Sequence, residues 1–316
     1  MKHSATIATQ LPFLMELGNM TPNEFVSYYT TNRMQITSEL HVHGAIKFDG
    51  IHIDSSETFQ RIVDSISDKF MGYVDGTSPR TQLTDHVYTS TEYNKSLKIT
   101  MHNELSYSAK WPGKLYFSCL LPSETGGETL LADSRKILGA MDPSIVSEIE
   151  SRGIVYIRNL HGGDGVGMSW QQAFETIDKR KMESICDAYN IEYKWKENDA
   201  VQLRQKSKGI ITHPVTGERV WFNQIDQFHP HQLGKEVYEA LMAMYDSNDE
   251  LPTYVSFADG EEISREIVVD ILATIDKLTV YPAWKKNQLL MVDNVLASHG
   301  RNWYTGDRKV VVAMTE

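Results

Sequence analysis

Two His-x-carboxylate pairs stand out among the 11 histidines of the sequence: His52/Asp54 and His102/Glu104. Residues i and i+2 of a β-strand point to the same face, so either pair could hold one metal ion from one wall of a β-barrel. Asp54 is better used as the N-cap of the helix predicted to follow it. His102 and Glu104 instead come directly after the β-type run Leu97–Met101, so this pair is the better metal candidate.

A third histidine and an arginine lie near the C-terminus. The β-type run Gln288–Val292 leads to His299, and Arg308 stands at the start of the next run, Lys309–Thr315. Two adjacent strands would therefore bring an imidazole and a guanidinium to one cavity. A guanidinium pairs bidentately with a carboxylate, so Arg308 could hold a dicarboxylate co-substrate. Arg301 follows His299 closely and competes with Arg308 for that role.

These side chains together predict one metal centre. His102, Glu104 and His299 supply two imidazoles and one carboxylate and leave coordination positions open, the ligand set of mononuclear non-haem Fe(II) oxygenases. The same set with a bound water describes catalytic zinc, so a zinc hydrolase stays an alternative. The sequence has no H-E-x-x-H motif, and a zinc hydrolase would leave Arg308 unexplained. A cupin-like binding protein without turnover is a further alternative. Thr129, in a Gly-Gly-Glu-Thr turn, adds a hydroxyl.

Two other histidine pairs and a glycine-rich segment are weaker candidates. His41/His43 has the spacing of a zinc clip, and His229/His231 stands at the entry of a predicted helix, but neither has a cysteine or second ligand group nearby in the sequence. Residues 162–167 are rich in glycine but do not match G-x-G-x-x-G and do not follow a strand-to-helix pattern. We interpret that segment as a loop.

The elements that must position these residues are short β-type runs between capped helices. Capping signals predict helix starts at Thr21, Asp54, Asp142 and Ser169. The β-type runs are not separated by regular crossover helices, which favours an antiparallel barrel or jelly roll with helical insertions over a doubly wound sheet. These runs are Ala45–Phe48, Leu97–Met101, Lys114–Leu121, Ile154–Ile157, Gly209–Thr212, Arg219–Phe222, Gln288–Val292 and Lys309–Thr315.

Composition limits the class of protein. The chain has 316 residues, a formal net charge of −11 and 41% hydrophobic residues, which is ordinary globular composition and argues against a nucleic-acid binder. Its two cysteines cannot form a disulfide framework, and no window is apolar enough for a membrane span. The N-terminus shows no secretion signal. We therefore expect a cytoplasmic protein without a membrane partner. The oligomeric state is not readable from the sequence.

The combination of motifs resembles a known family. MHNELSYSAKWPGKLYFSCLLPSETGGETLLADSRKIL, followed far downstream by DNVLASHGRNWYTGDRKVVVAM, is similar to the taurine dioxygenase/TfdA family of Fe(II)/2-oxoglutarate oxygenases. GMSWQQAFETIDK and ITHPVTGERVWFNQ resemble a subgroup that hydroxylates amino acids in natural-product pathways, such as the syringomycin-type enzymes. The resemblance extends over about residues 40–316. It implies a mainly β protein with helical insertions, built on a double-stranded β-helix, the cupin-like jelly roll.

The resemblance also implies a role for individual residues. His102, Glu104 and His299 match the iron ligands, Arg308 matches the arginine that pairs with the distal carboxylate of 2-oxoglutarate, and Thr129 matches its hydroxyl partner. Candidate substrate contacts are Arg80, Lys98, Arg204 and Asn223. Ala313 stands where the taurine enzymes have a second arginine, so a sulfonate substrate is not expected. A halogenase would need a small residue in place of Glu104.

The activity implied is that of a dioxygenase with Fe(II) as cofactor and 2-oxoglutarate and O2 as co-substrates. It would hydroxylate an unactivated C–H bond of an amino acid or amino-acid-derived substrate, free or bound to a carrier protein, and convert 2-oxoglutarate to succinate and CO2. Epoxidation or desaturation by the same iron chemistry stays open. We expect a single domain over 1–316, with an N-terminal helical and β segment over about 1–95 that packs on the core and a helical insertion over about 140–200.

Overall fold

Residues 10–72, 74–76, 80–90 and 93–316 are described by the computed structural model. The strands, numbered along the chain, are β1 Phe13–Met20, β2 Ala45–Ile51, β3 Tyr88–Thr89, β4 Ile99–His102, β5 Lys114–Leu121, β6 Thr125–Gly126, β7 Thr129–Asp133, β8 Ile154–Leu160, β9 Glu192–Trp195, β10 Val201–Ser207, β11 Ile210–Thr212, β12 Arg219–Trp221, β13 Thr253–Phe257, β14 Gln288–Asp293, β15 Ala297–Arg301, β16 Tyr304–Thr305 and β17 Lys309–Thr315.

The helices lie between these strands along the chain. They are α1 Pro22–Thr31, α2 Arg33–His43, α3 Ser56–Ile66, α4 Ser134–Ala140, α5 Pro143–Arg152, α6 Trp170–Ala173, α7 Lys179–Tyr189, α8 Ile225–Phe228, α9 Lys235–Met242 and α10 Arg265–Leu278, with short 3-10 turns at Pro230–Leu233 and Asn248–Glu250. Within the described ranges, no helix has the length and apolar character needed to cross a bilayer.

Two sheets form the jelly roll. The larger has the strand order β1-β2-β14-β5-β17-β3, and the smaller has the order β4-β15-β7. Leu290 and Val292 of the larger sheet share one buried cluster with Leu130 and Ala297 of the smaller sheet, so the two sheets pack face to face. Sheet-on-sheet packing of this kind buries alternate side chains of each strand between the layers.

The second face of the larger sheet is covered by the N-terminal helices. Leu289 and Met291 alternate with the residues that face the smaller sheet, and they pack against Phe25, Leu40 and Phe59 of α1, α2 and α3. Both faces of the sheet are therefore buried, which explains why the central strands read as continuous apolar runs and not as alternating ones.

The two outlying segments both contribute strands to sheets. The N-terminal segment does not only pack on the core, because β1 and β2 extend the larger sheet and pair in parallel. The segment predicted as a helical insertion over 140–200 also contains β8 and β9, which join a separate sheet with the order β13-β8-β10-β9. Local periodicity does not reveal which distant strand a short run will join.

Three of the four predicted helix starts are confirmed, and one is wrong by a residue. Thr21 and Ser169 each form a capping box, and Asp142 caps α5 through the backbone N–H of Ser144. The N-cap of α3 is Ser55, whose hydroxyl accepts from the N–H of Thr58, and Asp54 instead accepts from the hydroxyl of that threonine. A serine next to an aspartate can take the cap because both side chains carry a short acceptor.

Candidate active site

Three potential metal ligands meet at the edge of the smaller sheet. His102 ends β4 and lies directly opposite His299 of β15 in the antiparallel pairing, and Glu104 follows in the turn after β4. The Oε2 atom of Glu104 lies 3.9 Å from Nε2 of His102 and 3.4 Å from Nε2 of His299. One ligand atom from each residue thus falls within 4.8 Å of the others, which is compatible with a single ion held between them.

Asn294 fixes the turn that presents Glu104. Its side chain accepts from the backbone N–H of Glu104 at 2.7 Å and donates to the Glu104 carbonyl at 3.0 Å and the Pro112 carbonyl at 2.8 Å. The next residue, Leu105, has φ +56°, a left-handed conformation that is strained for leucine. A fully buried amide that satisfies both backbone groups of Glu104 stabilises this turn. Sequence reasoning missed Asn294, although it lies in the same D-N-x-x-x-S-H segment as His299.

Replacement of Asn294 by alanine should destabilise the protein markedly. Three buried backbone groups would lose their partner, at about 1–3 kcal/mol each, and partial relaxation should leave a net loss of about 3–5 kcal/mol in the free energy of unfolding. Urea denaturation measures this loss. Asn302→Ala is the control, because it removes one half-buried hydrogen bond to Glu128 and should cost about 1 kcal/mol. Equal losses in the two variants would contradict the role given to Asn294.

The charges around Glu104 favour its ionised form. Burial opposes ionisation, but the guanidinium of Arg80, which donates to Oε2 at 2.8 Å, and the hydrogen bond with His299 hold the pKa of Glu104 well below its usual range. Both side chains of the Arg80–Glu104 pair are only 4% exposed. Glu104 is therefore a carboxylate at neutral pH, the form that can bind a cation.

His102 is held neutral and oriented. Burial and the neighbouring His299 lower the pKa of His102 to about 3. Its Nδ1 lies 2.9 Å from the carbonyl of Thr100 and 3.0 Å from Nε2 of Gln227, which also donates to that carbonyl. With the proton on Nδ1, the lone pair of Nε2 faces Glu104 and His299. A ligand histidine that donates its other ring N–H to a backbone carbonyl is the usual second-sphere arrangement of metal sites.

Thr129 and Arg308 line the same cavity as the two histidines. The guanidinium of Arg308 donates through Nε to the carbonyl of Gly127 at 2.8 Å and through Nη1 to the hydroxyl of Ser90 at 3.0 Å. Burial and the nearby Arg301 lower its pKa to about 10, so it stays charged at neutral pH. Gly127 has φ +73°, and a Cβ there would lie 3.0 Å from Cδ of Arg308, which explains the glycine of the Gly-Gly-Glu-Thr turn.

Arg301 reaches the same cavity but is held by the backbone. Its Nη1 donates to the carbonyl of Tyr93, and its Nη2 donates to the carbonyls of Asn94 and Leu97 at 2.7 and 2.9 Å. Arg301 thus anchors the loop before β4, and within the described part of the chain only its Nε has no partner. Arg308 is the better candidate for a carboxylate ligand because fewer of its donors are bound to the protein.

The donor set fits an oxygenase-type metal. Two imidazoles and one carboxylate would hold an ion and leave coordination positions open to small ligands. A guanidinium and a hydroxyl in the same cavity suit a second, anionic molecule that also reaches the metal. The five residues predicted for metal and co-substrate binding are therefore brought together.

The comparisons with known proteins agree with this chemistry. The profile described as "Taurine catabolism dioxygenase TauD, TfdA family" matches residues 10–315. The chain belongs to the TauD/TfdA family. It is therefore a 2-oxoglutarate-dependent dioxygenase that uses Fe(II) as cofactor and 2-oxoglutarate and O2 as co-substrates. It is neither a zinc hydrolase nor a binding protein without turnover.

One relative and two solved structures are similar to the chain along most of its length. The chain is 34% identical over 294 residues to the dapdiamide synthesis protein DdaC of Enterobacter agglomerans, covering 93% of this chain and 87% of the relative. The structure of AAD-2 with Mn(II) and N-oxalylglycine superposes with a TM-score of 0.56 at 14% identity, covering 97% and 94% of the two chains. PvcB of Pseudomonas aeruginosa gives a TM-score of 0.55 at 12% identity, covering 96% and 85%. These structures confirm the predicted jelly-roll fold.

The four candidate substrate contacts lie in different surroundings. Arg80 lines the cavity with the histidines. Lys98 lies at the surface and donates to Asp276 at 2.9 Å, and Arg204 pairs with Asp249 on the separate sheet that contains β8. Asn223 is buried, donates to the carbonyl of Gly209 and accepts from the N–H of Ile225, so it fixes the start of α8. Of the four, the structure brings only Arg80 to the candidate metal site.

The competing histidine pairs do not form comparable sites. His52 is exposed on the surface, and His43 stacks on Phe13 with its Nε2 3.4 Å from Glu39. The rings of His229 and His231 are tilted against each other, and Glu262 lies 3.7 Å from Nε2 of His231. Within the described residues, however, these side chains form no group of three ligand atoms close enough to hold one ion.

A second group, His41, His213 and Asp293, lies close enough to hold an ion. However, Nδ1 of His213 accepts from the backbone N–H groups of Val215 and Thr216. A neutral imidazole that accepts at Nδ1 carries its proton on Nε2, so His213 donates to Asp293 at 3.2 Å and offers no lone pair there. This group is a hydrogen-bonded structural pair with His41 beside it.

Proposed function

We propose that this dioxygenase hydroxylates an unactivated C–H bond of an amino acid or an amino-acid-derived molecule in a natural-product pathway. In this proposal His102, Glu104 and His299 hold Fe(II), and Arg308 and Thr129 hold the distal carboxylate of 2-oxoglutarate. The observation that carries the amino-acid substrate is the 34% identity to a protein of dapdiamide synthesis along almost the whole chain. PvcB, a neighbour in fold, is described as an oxygenase from an isonitrile synthetic pathway.

Iron and 2-oxoglutarate supply the oxidising chemistry when bound, with O2 as the oxygen source and succinate and CO2 as the products of 2-oxoglutarate. The protein contributes charge and orientation. Arg308 neutralises a carboxylate in a water-poor cavity, where an unpaired charge would be costly. His102, Glu104 and His299 would hold the metal and leave coordination positions for co-substrate and O2.

Arg80 is the proposed contact for a carboxylate of the substrate. It is a buried cation in the cavity that also contains Thr129 and Arg308, and it donates to Glu104, the ligand nearest to it. A guanidinium has five N–H donors, so it can bind the metal ligand and a substrate carboxylate at once. Such a bridge would fix the substrate at a defined distance from the metal.

A substrate screen tests the proposed reaction. Purified protein with Fe(II), ascorbate and 2-oxoglutarate is offered free amino acids and carrier-bound aminoacyl groups, and both succinate and product mass are measured. Hydroxylation of a saturated substrate gives succinate and a product heavier by one oxygen atom. A product that has lost two hydrogens would show desaturation, and oxygen added across a double bond would show epoxidation. Absence of substrate-dependent succinate with all amino-acid-derived compounds would contradict the proposal.

With the substrate identified, Arg80→Met should lower kcat/KM about 10- to 100-fold, because a hydrogen bond to a charged group contributes about 1.5–3 kcal/mol. The same variant should lose less kcat/KM with the carboxamide of the substrate, since the amide carries no charge to pair and only the loss of the Arg80–Glu104 contact remains. Arg204→Met is the matched control, because Arg204 pairs with Asp249 away from the cavity. Equal losses of kcat/KM for the acid and the amide would show that Arg80 does not bind the substrate carboxylate.

A further inference from the structure

Trp284 contacts the proposed 2-oxoglutarate site from outside the cavity. Its indole Nε1–H donates to the hydroxyl oxygen of Thr129 at 3.0 Å, across 155 residues of sequence. Thr129 is the first residue of β7 and is only 4% exposed. Trp284 lies in the loop before β14 and packs against the main core.

The chemistry of a hydroxyl makes this contact directional. A threonine hydroxyl has one hydrogen to donate and two lone pairs, whereas an indole N–H can only donate. The bond from Trp284 therefore uses a lone pair of Thr129 and leaves its hydrogen to point elsewhere. A carboxylate can only accept, so this hydrogen is the group that Thr129 can offer to a dicarboxylate. A hydroxyl that already accepts a hydrogen bond is also polarised into a better donor.

The loop that carries Trp284 is itself held in place. Nζ of Lys47, from β2, donates to the carbonyl of Ala283 at 2.6 Å and lies 4.9 Å from the centre of the indole ring. The backbone N–H of Lys285 donates to the side chain of Gln288 at 2.9 Å. The indole is thus fixed on both sides, so its N–H has a fixed direction toward Thr129.

We propose that Trp284 is a positioning residue for the co-substrate: it orients the hydroxyl hydrogen of Thr129 toward the distal carboxylate of 2-oxoglutarate. The inference rests on the proposed placement of 2-oxoglutarate at Arg308 and Thr129. The indole N–H should therefore strengthen the binding of a 2-oxo diacid and should not affect the binding of a 2-oxo monoacid.

The test is an anaerobic titration of the Fe(II)-loaded protein with two ligands, followed by the charge-transfer absorption of the bound 2-oxo acid. One ligand is 2-oxoglutarate, and the other is 2-oxopentanoate, which has the same chain length and a methyl group in place of the distal carboxylate. Trp284→Phe should weaken 2-oxoglutarate about 3- to 10-fold, as expected for one lost hydrogen bond, and leave 2-oxopentanoate within about twofold. Trp303→Phe, at an exposed tryptophan, is the control and should change neither affinity.

A double variant separates positioning from packing. In a Thr129→Val background the indole has no hydroxyl to orient, so adding Trp284→Phe should cause no further loss of 2-oxoglutarate affinity. If the affinity losses of the two single variants multiply in the double variant, or if Trp284→Phe weakens 2-oxopentanoate as much as 2-oxoglutarate, the indole acts only through packing. Either result would overturn the inference. Arg308→Met in the same titration tests the underlying placement: if it binds 2-oxoglutarate normally, the proposed function of that site fails, whatever Trp284 does.

Discussion

Arg308→Met should bind 2-oxoglutarate about 10²–10³-fold more weakly than the unmodified protein, because removal of one partner of a buried charge pair costs about 3–5 kcal/mol. The guanidinium is largely buried beside Gly127 and Ser90, so water would not take its place next to the distal carboxylate in the variant. Anaerobic titration of the iron-loaded variant, followed by charge-transfer absorption, measures the loss. Thr129→Val removes a neutral donor and should show a smaller defect of about 10- to 100-fold.

Arg301→Met decides between the two arginines that follow His299. Arg301 donates to three backbone carbonyls of the loop before β4, so its replacement should lower the stability of the protein more than its affinity for 2-oxoglutarate. In thermal unfolding, Arg301→Met should therefore lower Tm more than Arg308→Met does. In the titration, Arg308→Met should lose more affinity for 2-oxoglutarate. A larger affinity loss in Arg301→Met than in Arg308→Met would mean that the co-substrate arginine is misassigned.

His299→Ala and Glu104→Ala should each abolish stabilisation of the protein by a divalent metal. A ligand present at about 100 times its dissociation constant stabilises the folded state by about 2.7 kcal/mol. For a chain of this size that corresponds to a rise in Tm of about 5 °C. Mn(II) is a suitable probe, because it accepts imidazole and carboxylate ligands and is stable in air. Tm measured with and without Mn(II) reports binding without reference to turnover.

The exposed histidine of the other His-x-carboxylate pair is the matched control. His52→Ala should keep the full Mn(II) shift and normal turnover, because His52 is exposed and outside the cavity. His102→Ala should lose both, as His299→Ala does. A full Mn(II) shift in His102→Ala would break the proposed triad, even if its turnover were low for another reason.

Much of the prediction of the metal ligands rested on the spacing of residues close together in the sequence. His102 and Glu104 are two residues apart next to a β-type run, and the capping motifs at Thr21, Asp142 and Ser169 gave three helix starts correctly. Such signals are readable because strand alternation and helix capping depend on neighbours within a few residues. The error at α3 has the same local origin, since Asp54 and Ser55 are adjacent residues with similar capping propensity.

The sequence by itself predicted the candidate metal ligands and the jelly-roll class, because residue chemistry and local periodicity are properties of short segments, and its combined motifs resembled those of the family. Only the tertiary structure decided which side chains converge. His102 faces His299 because β4 pairs with β15, Asn294 reaches Glu104 across 190 residues, and Trp284 reaches Thr129 across 155. The tertiary structure also showed that Arg301 donates to three backbone carbonyls, whereas Arg308 lines the cavity and makes fewer hydrogen bonds to the protein. These contacts follow from strand pairing and sheet packing, which bring distant segments together without any local periodic signal.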